Sequence, residues 1–267
     1  MDLFPIKLII TPALIAGTTM ATRRWGPVVG GLLVGLPVMS APVSVFLALE
    51  QGREFAATAA RSTLLASIAL AAYSVTYAVS ARRYGWRVSI LLSLFSYFVL
   101  IAFFSKATFS LSVSTLLVAG LTLAGCLIVK PVAVSVPALA APYWDLPFRM
   151  TAATVIVVTI TKLSSALGPE ISGLLSTFPV FVSVMSIFSH KLYGSAPIQQ
   201  FQRGVLLANF SFGTFFVVVS LALSHSNMPL FLVYLTACVV SAAVNLSIFK
   251  FFVFYRVNPK KSKKTLI

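Results

Sequence analysis

The sequence predicts an all-α integral membrane protein with about nine transmembrane helices in two inverted-topology repeats. Its 267 residues are 59% hydrophobic and only 9% charged, and the mean hydropathy is +0.99. This composition excludes an ordinary soluble domain, and apolar runs of membrane-crossing length fill most of the chain. One helical segment also occurs twice, which indicates a duplicated membrane unit.

The duplicated segment begins at Gly26 and again at Gly168. The offset between the copies stays at 142 positions, the separation of Pro37 and Pro179. The matched pairs are Gly26 and Gly168, Pro27 and Pro169, Gly31 and Gly173, Pro37 and Pro179, Ser44 and Ser186, Gly52 and Gly194, and Arg61 and Arg203. If an odd number of spans separates the copies, they face opposite sides of the membrane, as in many transporters.

Nine segments are long enough to cross a bilayer. They run over Phe4–Ala21, Pro27–Leu49, Phe55–Ser80, Val88–Phe104, Phe109–Val129, Arg149–Leu167, Pro169–His190, Gln200–Leu223 and Met228–Tyr255. Because Asp2 precedes the first segment and Arg23 and Arg24 follow it, we interpret it as a retained helix rather than a cleaved signal. The fourth segment is the shortest, so its status as a full span is open, and it has no clear counterpart in the second copy.

The basic residues predict the orientation. With nine spans and a cytoplasmic C-terminus, only Lys7, Arg53, Arg61, Lys106 and Lys162 of the 20 lysines and arginines lie outside. This positive-inside bias predicts a bacterial inner-membrane protein with a periplasmic N-terminus and a cytoplasmic C-terminus. It also explains the net charge of +15 through topology, so no nucleic-acid partner is expected.

The chain divides into two membrane repeats joined by a linker. Residues 1–129 form the first repeat with about five spans, and residues 149–267 form the second with about four spans and a basic tail. The linker, residues 130–148, contains four prolines and therefore cannot be one regular helix. We expect it to run along the cytoplasmic surface.

The repeated helix is the candidate for a solute pathway. Pro37 and Pro179 interrupt it about 15 Å from its start, which is half the hydrocarbon thickness. Each proline frees a backbone carbonyl that needs a new partner in lipid, so the kinks should be buried in protein or border a polar cavity. The pathway residues predicted between helices two and seven are Pro37, Ser40, Ser44, Pro179, Ser183 and Ser186. The alternative is that the prolines only shape a packed bundle.

Small residues in the same helices predict close packing. Gly31 and Gly35 form a small-xxx-small pair that is matched by Gly173 and Thr177. Such pairs allow two helix backbones to approach each other in a membrane.

Four charged residues have two interpretations each. Arg61 and Arg203 occupy matched positions near the start of their helices, where they either extend to the interface or bind solute. Lys162 and Glu170 flank the connection between spans six and seven, where they form either a local ion pair or an outer gate. No carboxylate is predicted near the middle of the membrane, which argues against a carboxylate proton relay.

The sequence contains no pattern that indicates catalysis. His190 and His225 have no carboxylate or cysteine neighbours at metal-ligand spacing, and Cys126 and Cys238 lie far apart within apolar runs. Nucleotide-binding loops and serine elbows are also absent from the sequence. We therefore expect no enzyme activity, no metal and no cofactor.

The segment Ser172-Gly173-Leu174-Leu175-Ser176-Thr177-Phe178-Pro179, with Gly194 and Arg203 beyond it, resembles the GlpM family of small bacterial inner-membrane proteins. The first copy resembles it less fully, because Leu36 stands where the motif has phenylalanine. The resemblance implies two GlpM-like four-helix units fused in one chain, with an extra span in the first. It also implies a connection with exopolysaccharide (alginate) production.

Together these features favour a transporter or permease-like protein of the inner membrane, with the lipid bilayer and an unknown solute as its partners. Arg61 and Arg203 tilt the prediction towards an anionic or lipid-linked envelope solute. The alternative is a non-transporting accessory or scaffold protein in envelope polysaccharide biosynthesis. A homo-oligomer is compatible with either function.

Overall fold

The computed structural model describes residues 4–34, 41, 44–45, 48–49, 52–104, 109–132, 143–152, 154–155 and 178–257. These residues form helices and short connections, without any strand. The helices with defined bounds are α1 (Phe4–Trp25), α2 (Pro27–Val34), α3 (Arg53–Ser80), α4 (Trp86–Phe104), α5 (Leu111–Ile128), α6 (Val180–Tyr193), α7 (Ser195–His225) and α8 (Leu230–Val257). Residues 145–152 are also helical. The predicted all-α class is confirmed.

Local sequence explains where several helices begin. The Ser110 hydroxyl accepts a hydrogen bond from the Val113 amide at 3.4 Å, which caps the first turn of α5. The helical residues from 145 onward begin inside the predicted linker, four residues before the predicted start at Arg149. Tyr143 and Trp144, just before them, are exposed, as expected of residues at a membrane interface.

The structure repeats the duplication seen in the sequence. The helices α3 and α7 start at Arg53 and Ser195, which are separated by the same offset as the repeated prolines. The glycine before each has a positive φ, +89° at Gly52 and +80° at Gly194. A side chain with a Cβ rarely adopts this conformation, so both copies use glycine to turn the chain into the long helix.

The fourth predicted span has a counterpart, contrary to the expectation from the sequence. The offset that relates α3 to α7 also relates α4 to α8, and each of these packs against the long helix before it in the chain. Instead α5 is the additional helix among those described. Adding the offset to its residue numbers leads to the last residues of α8 and the C-terminal tail, where no separate helix is described. The counterpart was not recognised because α4 and α8 share an environment and not a sequence motif.

The matched helices α3 and α7 run antiparallel and in direct contact. Near one end Ser220 Oγ donates to the Ala57 carbonyl, and near the other Arg82 Nε donates to Gln199 Oε1. As residue numbers increase along α3, the numbers of the residues they contact in α7 therefore decrease. The two repeats are inverted relative to each other, as predicted.

The contacts between the two long helices are also reciprocal. A Cβ built on Gly213 would lie 3.5 Å from Leu64 Cδ1. Replacing each of these two residues by its repeat equivalent gives Ala71 and Leu206, which belong to one buried cluster. Reciprocal pairs of this kind are what a twofold relation between two copies requires.

Burial separates the helices into inner and outer elements. In an apolar 18-residue stretch of α3 and of α7, 61% of the residues are buried, compared with 22–28% in the corresponding stretches of α4, α5 and α8. These five helices are long and apolar enough to cross a membrane, and α6 is a shorter apolar helix. The outer helices expose large apolar side chains such as Phe95, Leu116 and Phe231, which suits contact with lipid tails.

Candidate functional site between the repeats

The helix α6 has a polar face and an apolar face. With about 100° between successive residues, Ser183, Ser186 and His190 fall within about 60° of one another. Met185 and Phe188 lie on the opposite side. All three polar residues are buried, so the polar face must be turned towards other helices.

Pro179 starts this helix and does not bend its interior. Phe178 and Pro179 are non-helical, α6 begins at Val180, and the Pro179 carbonyl accepts the first helical bond from the Ser183 amide at 2.8 Å. A proline without an N–H is well tolerated at such a position. In the described residues, the predicted kink is therefore a helix start that positions Ser183 in the first turn.

The polar face of α6 contacts side chains from both long helices. From α3, the Tyr73 hydroxyl donates to Ser183 Oγ at 3.1 Å, and from α7, Gln202 Nε2 donates to Ser186 Oγ at 2.7 Å. The Tyr77 ring meets the His190 ring edge-on, with 5.9 Å between centroids. We call Tyr73, Tyr77, Ser183, Ser186, His190 and Gln202 the polar cluster.

Several atoms of the polar cluster have no hydrogen-bond partner among the described residues. These are Tyr77 Oη, His190 Nδ1 and Gln202 Oε1. Tyr77 and Gln202 are 0% exposed and His190 is 9% exposed. An unsatisfied buried polar group costs about 1–3 kcal/mol, so three in one place call for an occupant or a function.

The helix α7 continues this polarity along the boundary between the copies. Gln199, Gln202, Asn209 and Ser220 fall on one face of α7 by helical periodicity. Asn209 Nδ2 donates to Thr122 Oγ1 of α5 at 2.8 Å and to the Ser67 carbonyl of α3 at 3.3 Å. In a membrane, such a stripe either joins helices or lines a pathway.

Ser44, the repeat equivalent of Ser186, lies in a different environment. Its Oγ is 2.9 Å from Tyr234 Oη, and the Tyr234 hydroxyl also lies 2.7 Å from the Ser44 carbonyl. Ala48 and Phe215 belong to the same apolar core as Tyr234. Ser44 is therefore enclosed in a packed core, whereas Ser186 belongs to the polar cluster.

A group of three charged residues, of which Asp145 and Arg149 are buried and Arg23 is exposed, lies on the other side of α6. Asp145 is fully buried and binds Arg23 Nη2 at 2.8 Å and Arg149 Nε at 2.9 Å. Arg149 also lies over the Phe188 ring, 5.1 Å from its centroid, and approaches Met185 Sδ at 3.5 Å. Since Arg23 belongs to the first copy and Asp145 precedes the second, this ionic triad ties the two copies together.

Arg203 and Arg61 differ in their surroundings although the repeat matches them. Arg203 Nη1 donates to the carbonyls of Cys126, at 2.8 Å, and Val129, at the C-terminal end of α5. A cation there satisfies carbonyls that the helix leaves without partners. Arg61 Nε has no partner within the described part of the chain. Because α5 has no counterpart among the described helices, Arg61 has no equivalent helix end to cap.

Gly31 lies where α2 crosses α7. A Cβ on Gly31 would be 2.1 Å from the Phe201 carbonyl oxygen, and one on Gly204 would be 2.2 Å from the Val28 carbonyl oxygen. Only a residue without a side chain allows the two backbones this close. The other predicted positions lie outside the described residues: Gly35, Pro37, Ser40, Lys162, Glu170, Gly173 and Thr177.

Sequence reasoning missed Tyr73, Tyr77, Gln202 and Asp145. The two tyrosines are four residues apart in an apolar run and so share a helix face. Gln202 and Asp145 are polar residues beside hydrophobic segments, which is itself a signal of function. No residue spacing, however, indicates that α3, α6 and α7 meet.

The fold and this site define a class, an all-α membrane protein built from two inverted repeats with a buried polar cluster at their boundary. Comparison with known proteins adds no narrower identity. No protein-family model matches the chain. No curated protein and no solved structure matches it either.

Proposed function

We propose that this chain is a transporter or permease-like protein of the bacterial inner membrane, in which solute moves between the inverted repeats. The observation that carries the proposal is the polar cluster, which places three unpartnered polar atoms where α6 meets both long helices. Apolar packing would stabilise a scaffold better at that place. Rocking of one repeat against the other would expose the cluster to each side in turn.

The proposed pathway differs from the one predicted between the second and seventh spans, which correspond to α2 and α6 of the structure. The described part of α2 crosses α7 at Gly31, whereas the polar face of α6 meets α3 and α7. The route therefore follows α3, α6 and α7, with Ser183 and Ser186 retained as pathway residues. Arg203 supports an anionic solute less well than the sequence suggests, because its Nη1 is bonded to helix carbonyls.

The likeness to the GlpM family is part of this proposal and depends on the sequence motif alone. Its connection with exopolysaccharide production leads to the alternative function, an accessory or scaffold protein without transport. A scaffold needs only that the protein folds and reaches the membrane. A carrier also needs the polar atoms of α6 and α7.

A flux experiment separates the two functions. Purified protein is reconstituted in liposomes, incubated with a small-molecule extract of bacterial cells, and the lumenal contents are measured by mass spectrometry. We expect at least one solute to accumulate with the wild-type protein and to be lost with Ser186→Val and Gln202→Leu. Ser247→Ala, at an exposed position on α8, is the matched control and should retain flux. Equal lumenal contents for wild-type protein, variants and empty liposomes would favour the scaffold.

The proposed orientation has its own support and test. Arg82 and Arg203 both reach the C-terminal end of α5, whereas Arg53 donates to the Met228 carbonyl at the opposite end of α7. The basic residues assigned to the cytoplasm thus gather at one end of the helices. Reporter proteins fused after Val129 and after the C-terminus should both read cytoplasmic, and a periplasmic signal from either would contradict nine spans.

A further inference from the structure

The polar cluster is present in only one half of the duplicated fold. Applying the repeat offset to its six members gives Phe215, Val219, Ala41, Ser44, Ala48 and Ala60. Five of these are apolar: four belong to a single hydrophobic core, and Ala41 packs against it. The remaining one, Ser44, is bonded to Tyr234. The repeat-equivalent positions show that the fold is compatible with apolar side chains here. Folding alone therefore does not explain the polar residues of the cluster.

The polar cluster contains no Asp, Glu, Lys or Arg side chain. The arginines near it are engaged elsewhere: Arg203 donates to carbonyls at the end of α5, and Arg82 donates to Gln199 and to the Ile128 carbonyl. Arg149 lies against the opposite face of α6 and is paired with Asp145. Among the residues that the structure describes, an ionic ligand in the cluster would meet no free opposite charge, and burying an unpaired charge is strongly unfavourable.

The unpartnered atoms suit ligand hydroxyl groups. The Tyr77 hydroxyl both donates and accepts, Gln202 Oε1 accepts, and His190 Nδ1 donates or accepts according to its tautomer. A ligand hydroxyl can meet each of these requirements because it also donates and accepts. The rings of Tyr73, Tyr77 and His190 adjoin one another, with 6.2 Å and 5.9 Å between neighbouring centroids. They provide the apolar surface that small-molecule sites combine with a few placed polar groups.

We infer that the polar cluster binds a neutral polyhydroxylated small molecule, a sugar or polyol, and discriminates against charged analogues. This inference rests on the proposed transport function and names the class of its solute. It replaces the anionic preference that the paired arginines suggested. In the other half of the fold, the described residues at the equivalent place are packed with apolar side chains and form no second site of this kind.

Binding can be measured independently of transport. The purified protein in lipid nanodiscs is titrated with glucitol, gluconate and glucosamine, which share a carbon skeleton length and differ in charge, and the thermal unfolding midpoint is followed by tryptophan fluorescence. We expect glucitol or neutral sugars such as glucose to raise the midpoint and the two charged probes to have little effect. The Tyr77→Phe variant should bind the neutral probe about tenfold more weakly, the effect of losing one hydrogen bond.

Tyr77→Phe is informative because it should fold at least as well as the wild-type protein. It removes a buried hydroxyl that has no partner among the described residues, so stability without ligand should stay equal or rise. Ser62→Ala, at an exposed position on the same helix, is the matched control and should leave binding unchanged. Weaker binding in Tyr77→Phe together with an unchanged or raised midpoint separates ligand recognition from structural support.

Three results would overturn the inference. They are a preference for gluconate or glucosamine, no response to any neutral probe up to its solubility limit, and unchanged binding in Tyr77→Phe. If the flux experiment also reveals a transported ion, the ligand class is wrong and transport stands. If neutral probes bind but no solute crosses the liposome membrane, the ligand class stands and transport fails.

Discussion

Asn209 Nδ2 donates a hydrogen bond to the Ser67 carbonyl oxygen at 3.3 Å, and these residues are 142 positions apart, the offset of the repeat. Equivalent positions of the two copies are therefore in contact. When two equivalent residues are in contact, the approximate twofold axis that relates the copies passes between them. The Ser67–Asn209 contact places this axis at the middle of α3 and α7, and the polar cluster lies to one side of the axis.

The antiparallel arrangement predicts which cysteine pairs cross-link. In a protein with Cys126→Ala and Cys238→Ala, Ala57→Cys and Ser220→Cys should form a disulfide or short dimaleimide bridge, because Ser220 Oγ lies 3.3 Å from the Ala57 carbonyl. Ala57→Cys paired with Gln199→Cys should not, since antiparallel helices separate these equivalent positions by roughly 30 Å. Mass spectrometry identifies the bridged peptides. Bridging of the second pair instead of the first would mean parallel repeats.

The crossing of α2 and α7 predicts a steric effect. Gly31→Ala and Gly204→Ala each place a Cβ within 2.2 Å of a backbone oxygen, so the helices must move apart. We expect a loss of about 1–3 kcal/mol in the free energy of unfolding, measured by detergent-induced unfolding. Gly120→Ala has open space around its Cβ and should be neutral or slightly stabilising, because alanine favours helix more than glycine. Equal stability of all three variants would contradict the close crossing.

The ionic triad predicts a strong effect from one carboxylate. Asp145→Asn removes the charge that balances Arg149, whose side chain is only 2% exposed. Leaving a buried charge unpaired costs about 3–5 kcal/mol, so unfolding should occur at markedly lower denaturant. Adding Arg149→Met should restore part of the loss, because an apolar side chain needs no counter-charge. Glu54→Gln, at an exposed carboxylate, is the control. A double variant less stable than Asp145→Asn would contradict the pairing.

The two matched arginines should respond differently to the same substitution. Arg203→Met removes the donor to the carbonyls of Cys126 and Val129 and should cost about 1.5–3 kcal/mol, the range for charged hydrogen bonds. Arg61→Met should cost less, since Arg61 Nε has no partner among the described residues. Thermal unfolding of the two variants in the same detergent checks this order. A larger effect at Arg61 would reverse the assignment of Arg203 as the capping residue.

Much of the helix framework follows from local sequence. The predicted third span, Phe55–Ser80, agrees closely with α3, because the apolar run and Gly52 mark its limits. The relation of the fourth span to α8 is not predicted by the sequence, because it depends on shared packing and the two helices have no motif in common. Pro179 was recognised as a break in the helix, but whether a proline bends a helix or begins one depends on chain geometry on both sides of it.

The candidate site was predicted only in part. Ser183 and Ser186 follow Pro179 in sequence, and the repeat also pairs Ser186 with Ser44. Tyr77 and Gln202 were not, because they come from α3 and α7 and reach α6 only through tertiary packing. Asp145 was overlooked for a similar reason, since its partner Arg23 is 122 residues away in the sequence.

The amino-acid sequence by itself determined the membrane class, the helical content and the duplication, because hydropathy and a repeated glycine–proline pattern are properties of neighbouring residues. Only the tertiary structure decided which helices meet and which polar atoms remain without partners. The physical reason is that an apolar helix can bury any of its faces against another. The choice is made by close contacts, such as Gly31 against Gly204, and by hydrogen bonds between residues far apart in the chain.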